Sequence, residues 1–203
     1  MSLPALDIAV FHAVNGLGFA PLDALFVTVS MPQFGLATAG LIAAYFAWRK
    51  RWDAVWIILA GIVAVALCDL VGARVLKPLF ARARPCFALP PETVRLLVPI
   101  SASSGSMPSL HAANNAAAAL VAFLGQRRTG WVLFPLAMLV ALSRVGLGVH
   151  YPSDLLAGFL WGALCAIAGW GVALLAQKGW RKLRPGTGSA AAAGSTSGPP
   201  AGS

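Results

Sequence analysis

Three short stretches of this chain carry groups that could do chemistry together. In Ser143-Arg-Val-Gly-Leu-Gly-Val-His150-Tyr-Pro-Ser-Asp154 a cation, an imidazole and a carboxylate fall within twelve residues. Lys77-Pro-Leu-Phe-Ala-Arg-Ala-Arg84-Pro85 adds fixed positive charges, and Pro108-Ser109-Leu110-His111 adds a second imidazole at the expected start of a helix. Guanidinium forks match phosphate oxygens in bidentate fashion, and free N–H groups at a helix N-terminus form ready anion sites. The expected ligand is therefore a phosphate, held by Lys77, Arg84, Ser109, the backbone N–H of Leu110, Ser143 and Arg144. Two histidines beside a phosphate can divide one hard displacement into two easier ones: one attacks phosphorus and the other protonates the leaving oxygen. Asp154, four residues after His150, can accept a hydrogen bond from one ring nitrogen and fix the tautomer. That makes His150 the better nucleophile and His111 the better acid.

These groups sit in a chain that otherwise avoids charge. Of 203 residues, 59% are hydrophobic and only 10% charged, against about a quarter charged in an ordinary soluble domain. Apolar runs recur at the length needed to cross about 30 Å of hydrocarbon. The chain reads as an integral membrane protein, in which ionisable groups at membrane depth mark function unless they pair. The formal charge of +9 does not point to nucleic acid. Its cations lie mainly in short loops, Arg49 to Arg51, Arg127 and Arg128, and Lys178 to Arg184, as the positive-inside rule expects of cytoplasmic loops. Cys68, Cys86 and Cys165 are widely separated and read as small apolar fillers.

The expected architecture is an all-α polytopic transmembrane bundle of five to six spans. Residues 1–32 read as an interfacial helix followed by a short or re-entrant piece, and residues 33–178 as the core. Within the core, spans are expected at 33–48, 54–76, 109–125, 131–147 and 155–176. Residues 179–203 are basic and then a Gly/Ser/Ala/Pro tail expected to be disordered. Placing the basic loops in the cytoplasm brings the long loop at 77–107, the start of the third span and the turn at 148–153 to the opposite face. Arg74, Lys77, Arg82, Arg84, Arg95 and Arg144 gather on that charge-poor side, which fits an anionic ligand there. Arg82 and Arg95 stand between solvated loop residues and headgroup contacts, while Asp69 and Arg74 are expected to pair.

KxxxxxxRP, PSxH and SRxxxxxHxxxD, in that order, resemble the three signature motifs of the type 2 phosphatidic acid phosphatase (PAP2) superfamily. The resemblance covers roughly Lys77 to Asp154. It implies a PAP2/haloperoxidase-like helical core and a metal-free, cofactor-free phosphatase forming a phosphohistidine intermediate. His150 is the implied nucleophile, His111 the acid and Asp154 the orienting carboxylate. Lys77, Arg84, Ser109 and Arg144 are the implied phosphate ligands. Leu110 stands where the most familiar form of the second motif has Gly.

The absence of a G-x-S-x-G elbow argues against a serine hydrolase. Six carboxylates in all are too few around the histidines for a two-metal phosphatase. The first expectation is a multi-pass enzyme of a bacterial cytoplasmic membrane, acting on its non-cytoplasmic face upon a lipid phosphate. Its small size is most similar to the undecaprenyl-diphosphate phosphatases of the superfamily. Phosphatidylglycerophosphate, phosphatidate and lipid A phosphates are alternatives, as are a phosphotransferase and a non-catalytic anion-binding or transport protein. No obligate protein partner is expected.

Overall fold

The computed structural model describes residues 2–101 and 104–183; Arg184 and the Gly/Ser/Ala/Pro tail lie outside them. Among the described residues the chain is mostly helical, without strands. That is the arrangement hydrocarbon demands, since a helix satisfies its own backbone polar groups. Helices α1 (Leu3–Asn15), α2 (Ala20–Ser30) and α3 (Pro32–Lys50) each carry a proline in the first turn, where the missing N–H costs nothing. α3 ends in the Arg49-Lys50-Arg51 run, with Arg51 at φ 45°. The chain reverses there, so that Phe46 of α3 and Ile57 of α4 (Ala54–Val71) lie in one core cluster. A π-helical turn, Gly72–Leu76, leads into two short helices, α5 (Lys77–Phe80) and α6 (Pro85–Ala88). After the long loop come α7 (Leu110–Gly125), α8 (Arg127–Gly146) and α9 (Pro152–Leu183).

By length and composition three helical stretches can cross a membrane, Pro32–Ala88, Arg127–Gly146 and Pro152–Leu183, or four if the bent pair α1–α2 makes one crossing. By length and composition alone the five to six spans expected from sequence are not confirmed. α7 has only 16 residues, and the stretch Pro32–Ala88 holds both α3 and α4, between which the chain reverses at Arg51.

The centre of the bundle is α4, α7 and α9, packed through alanine, glycine and cysteine: Ala60, Ala64, Cys68, Ala113, Ala117, Cys165, Ala166 and Ala173 are buried. Small residues let helix backbones approach closely where no hydrophobic drive separates protein from lipid. A Cβ on Gly162 would lie 2.2 Å from the Ala113 carbonyl oxygen, and one on Gly169 would lie 2.4 Å from that of Ala60. A Cβ on Gly171 would meet nothing within 4 Å among the described residues. Gly162→Val is therefore expected to cost about 3 kcal/mol or more through overpacking, while Gly171→Ala should be tolerated. Thermal unfolding of the two variants in detergent checks the contrast, and equal midpoints would refute this packing.

The N-terminal helices brace the end of the bundle that carries the loop between α8 and α9. α1 and α2 meet at 112°. Phe11 of α1 packs among Ala141, Val145, Tyr151 and Leu155, and Phe26 of α2 packs with Leu147 and Val149. Asn15, buried at the joint, donates from Nδ2 to the carbonyls of Gly146 at 2.8 Å and Arg95 at 2.9 Å, and its Oδ1 accepts from the Arg95 N–H. The loop from Leu147 to Tyr151 is thus clamped from below. It turns on Gly148, whose φ of 81° is open to glycine at little cost; a Cβ there would also lie 2.5 Å from the Arg95 carbonyl oxygen.

Candidate active site

His150 sits on that clamped loop, between the end of α8 and the start of α9, and is 2% exposed. Its Nδ1 is 3.3 Å from Asp154 Oδ2, and its Nε2 is 3.2 Å from Arg84 Nη1. A guanidinium can only donate, so Nε2 must be the acceptor and the ring proton belongs on Nδ1, facing Asp154. The arrangement selects one tautomer and leaves the Nε2 lone pair pointing at the cations. Burial pushes the His150 imidazole down to about 4, and Arg84 pushes it in the same direction. The Asp154 hydrogen bond opposes this shift without overcoming burial. A neutral, oriented imidazole beside fixed positive charge can act as a nucleophile toward an anion that Arg84 has drawn in.

Asp154 is fully buried in the first turn of α9. Oδ2 accepts from the Ser106 hydroxyl and, at 2.8 Å, from the Tyr151 N–H. Oδ1 accepts from Arg82 Nη1 at 2.8 Å. The carboxylate is therefore held on both edges and can turn only one way toward His150.

Arg84 and Lys77 line a cavity of about 630 Å³ together with Arg82, Ser104, Gly105 and Leu110. Arg84 is 4% exposed and donates to the Val149 carbonyl at 2.9 Å, the Ser104 carbonyl at 2.8 Å and Ser104 Oγ at 2.9 Å. Lys77 Nζ donates to the Gly105 carbonyl at 2.9 Å. Arg144 is buried, and its Nε has no hydrogen-bond partner among the described residues. A buried donor left open in a cationic site leaves capacity for an anionic acceptor.

Ser109 caps α7, its Oγ accepting from the Ala112 N–H at 3.5 Å, while its own N–H donates to the Asp154 carbonyl at 3.0 Å. The backbone donors that remain at this helix start are those of Leu110 and His111, which have no intrahelical acceptor. Ser143 donates to the Val140 carbonyl at 2.7 Å and shares a 2.6 Å hydrogen bond with Ser30 of α2. Its hydroxyl is turned into helix packing, away from the role expected from sequence. His111 lines a second cavity, of about 370 Å³, with Asn114, Asn115, Val29 and Val140. Leu110 and His111, consecutive in sequence, thus serve two different openings.

The structure adds residues that sequence reading missed. Ser104 and Ser106 brace Arg84 and Asp154, and the only sequence hint was a serine-rich run in the long loop. Arg95 is part-exposed and engaged within the protein: it donates to Asp23 Oδ2 at 2.6 Å and to the Asn15 carbonyl at 2.9 Å. Asp69 accepts from Asn114 Nδ2 at 2.9 Å, in place of the expected partner Arg74.

Residues 54–178 match the family model described as the PAP2 superfamily. The chain is 29% identical over 169 residues to a Bacillus licheniformis protein named bacitracin transport permease protein BcrC, covering 82% of this chain and 80% of that one. It is 28% identical over 153 residues to the undecaprenyl-diphosphatase BcrC of Bacillus subtilis (strain 168), covering 74% and 76%. The crystal structure of the first transmembrane PAP2 type phosphatidylglycerolphosphate phosphatase from Bacillus subtilis superposes with a TM-score of 0.64 at 26% identity, covering 90% of this chain and 88% of that one.

Proposed function

The chain belongs to the PAP2 superfamily and is a multi-pass membrane phosphatase of that type; from that premise we propose that it releases phosphate from a long-chain isoprenoid lipid, best undecaprenyl diphosphate. In this reading His150 Nε2 attacks phosphorus and forms an N–P bond as the P–O bond to the lipid breaks. His111 gives the leaving oxygen its proton. Water then attacks the phosphohistidine with His111 taking a proton back, and inorganic phosphate leaves. Arg84, Arg144, Lys77 and the Leu110 and His111 N–H groups bear the charge on the non-bridging oxygens.

The observation that supports a lipid is the pairing of unlike cavities at α7. On the Leu110 side the lining is cationic. On the His111 side, where an in-line displacement places the leaving group, the cavity continues through Ala39, Ile42, Val65 and Ala118 into a groove of about 560 Å³ between α3, α4 and α7. That groove is lined by Ile57, Ile58, Ile62 and Phe46 among others. Gly40 and Gly61 also line it, and a Cβ on either would meet nothing within 4 Å among the described residues. An apolar chain lying there would have its reactive end at His111.

Phosphate release from a panel of undecaprenyl diphosphate, farnesyl diphosphate and phosphatidylglycerophosphate in detergent tests the reading. Undecaprenyl diphosphate is expected to turn over best; preference for phosphatidylglycerophosphate would reassign the lipid. Phosphorylated acceptor in place of free phosphate would make the enzyme a transferase. Gly61→Leu should lower kcat/KM for the long chain while sparing the short one. Displacing three buried CH₂ groups would cost about 2.4 kcal/mol, or roughly 60-fold. An equal effect on both lipids would remove the groove from the binding site.

The same reading places the site on the non-cytoplasmic face, supported by the basic runs at Arg49 to Arg51, Arg127 and Arg128, and Lys178 to Lys182 at the other ends of the helices. Reporter fusions should find residue 126 in the cytoplasm and residue 90 outside; the reverse pattern would turn the site around.

A further inference from the structure

The carboxylate that orients His150 is itself held by a pair of residues at none of the fixed positions of the three motifs. Arg82 lies between Lys77 and Arg84 in sequence but turns its fork the other way. Nη1 donates to Asp154 Oδ1 at 2.8 Å and to Ser153 Oγ at 2.6 Å, and Nη2 donates to Asp7 Oδ2 at 2.5 Å. The guanidinium carbon sits 4.1 Å from the centre of the Tyr151 ring. Asp7 is one turn into α1 and nearly buried. Its Oδ1 accepts the Ser153 N–H at 2.9 Å, and its Oδ2 accepts the Ser153 hydroxyl at 2.5 Å. Asp7 thus caps the first turn of α9 from another helix, where negative charge is favoured, and at the same time anchors the arginine that grips Asp154.

Charge counting gives the pair a second consequence. Asp154 and Asp7 share one cation between them, so each carboxylate's effect at His150 depends on how Arg82 is divided. A solvated surface pair would contribute little, but Asp154 is fully buried and Arg82 is 27% exposed.

We propose that Asp7 and Arg82 are positioning residues for phosphoryl transfer: Arg82 fixes Asp154 in the orientation that keeps the His150 proton on Nδ1, and Asp7 makes that grip conditional on α1 being docked. The inference rests on the phosphatase reading above. It gives the N-terminal helix a part in turnover, since a displaced α1 would free Arg82 and uncap α9 together.

The test is the pH dependence of kcat/KM for the full-length protein in detergent, with undecaprenyl diphosphate as substrate, for Arg82→Gln, Arg82→Lys and Asp7→Asn. The acidic limb reports protonation of His150, which faces Asp154 on α9, Arg84 before α6, Arg144 on α8 and His111 on α7. Removing the Arg82 charge leaves Asp154 less compensated, so Arg82→Gln should move that limb to higher pH. Removing the Asp7 charge leaves Arg82 to act on Asp154 alone, so Asp7→Asn should move it to lower pH. Arg82→Lys keeps the charge but loses the fork, so its limb should stay in place. All three should lower kcat, by roughly 10- to 100-fold for a misplaced catalytic group, with KM little changed.

A purely structural role would lower the amount of active protein equally at every pH. Limbs that stay in place in Arg82→Gln and Asp7→Asn, or that move together in one direction, overturn the proposal. If Asp7→Asn does not fold, the contrast between Arg82→Gln and Arg82→Lys decides it alone. Lack of turnover of undecaprenyl diphosphate by the unsubstituted protein would overturn the substrate proposed above, whereas turnover with unshifted limbs overturns only the positioning role.

Discussion

Replacing His150 with glutamine is expected to abolish phosphate release, by about 10⁴-fold or more, the scale seen when a catalytic nucleophile or its base is removed. Glutamine is chosen over alanine because it can still accept from Arg84, which keeps its bonds to Val149 and Ser104 in any case. The loss then reports chemistry and not collapse of a buried cationic site. Nε2 combines a lone pair with a direct contact to the Arg84 guanidinium, the proposed phosphate ligand. Because burial holds the ring neutral down to about pH 4, no proton needs to be removed before attack at neutral pH. The variant should unfold at the temperature of the unsubstituted protein in detergent and carry no acid-labile phosphate after exposure to substrate. Phosphate release near the original rate would sink the assignment.

Why His150 was legible in the sequence and its supports were not is a matter of distance along the chain. His150 and Asp154 are an i, i+4 pair across a helix start, so their spacing alone carries their contact. Arg84 and Lys77 were legible because each stands at a fixed offset in a short segment that resembles the first signature motif. Arg82 occupies the same segment and carries the same charge. What separates its role from that of Arg84 is a partner 75 positions away on α1, and no local pattern announces the docking of α1.

Ser143 shows the converse. Beside Arg144 it reads as a phosphate ligand, but its hydroxyl donates to the Val140 carbonyl within α8 and meets Ser30 of α2 in the packing. The membrane class was plain from composition. The number of crossings was not, because a 16-residue α7 buried among α4, α8 and α9 need not be long enough to span unaided, and the reversal at Arg51 depends on backbone geometry.

Replacing His111 with glutamine should give a loss that depends on what leaves. His111 stands at the first turn of α7 and lines the opening opposite the cationic cavity. That is where the leaving oxygen of an in-line attack by His150 would emerge. A positioned acid contributes about 10²- to 10⁴-fold where the leaving group needs its proton. A lipid alcohol leaving from a monophosphate needs one, since an alkoxide is a very strong base. A lipid monophosphate leaving from a diphosphate needs far less help, because its last proton is lost near pH 6. His111→Gln should therefore cut turnover of an isoprenyl monophosphate across that full range while the matching diphosphate loses much less. Both are measured as the leaving lipid, the isoprenol or the isoprenyl monophosphate, under single-turnover conditions, so that breakdown of the phosphohistidine does not mask the first step. Equal losses on the two substrates would take His111 out of the leaving-group role and leave it as a phosphate contact. An unequal loss of the expected sign would also favour a diphosphate as the natural substrate, since that bond places the smaller demand on an acid held among Arg144, Lys77 and His150.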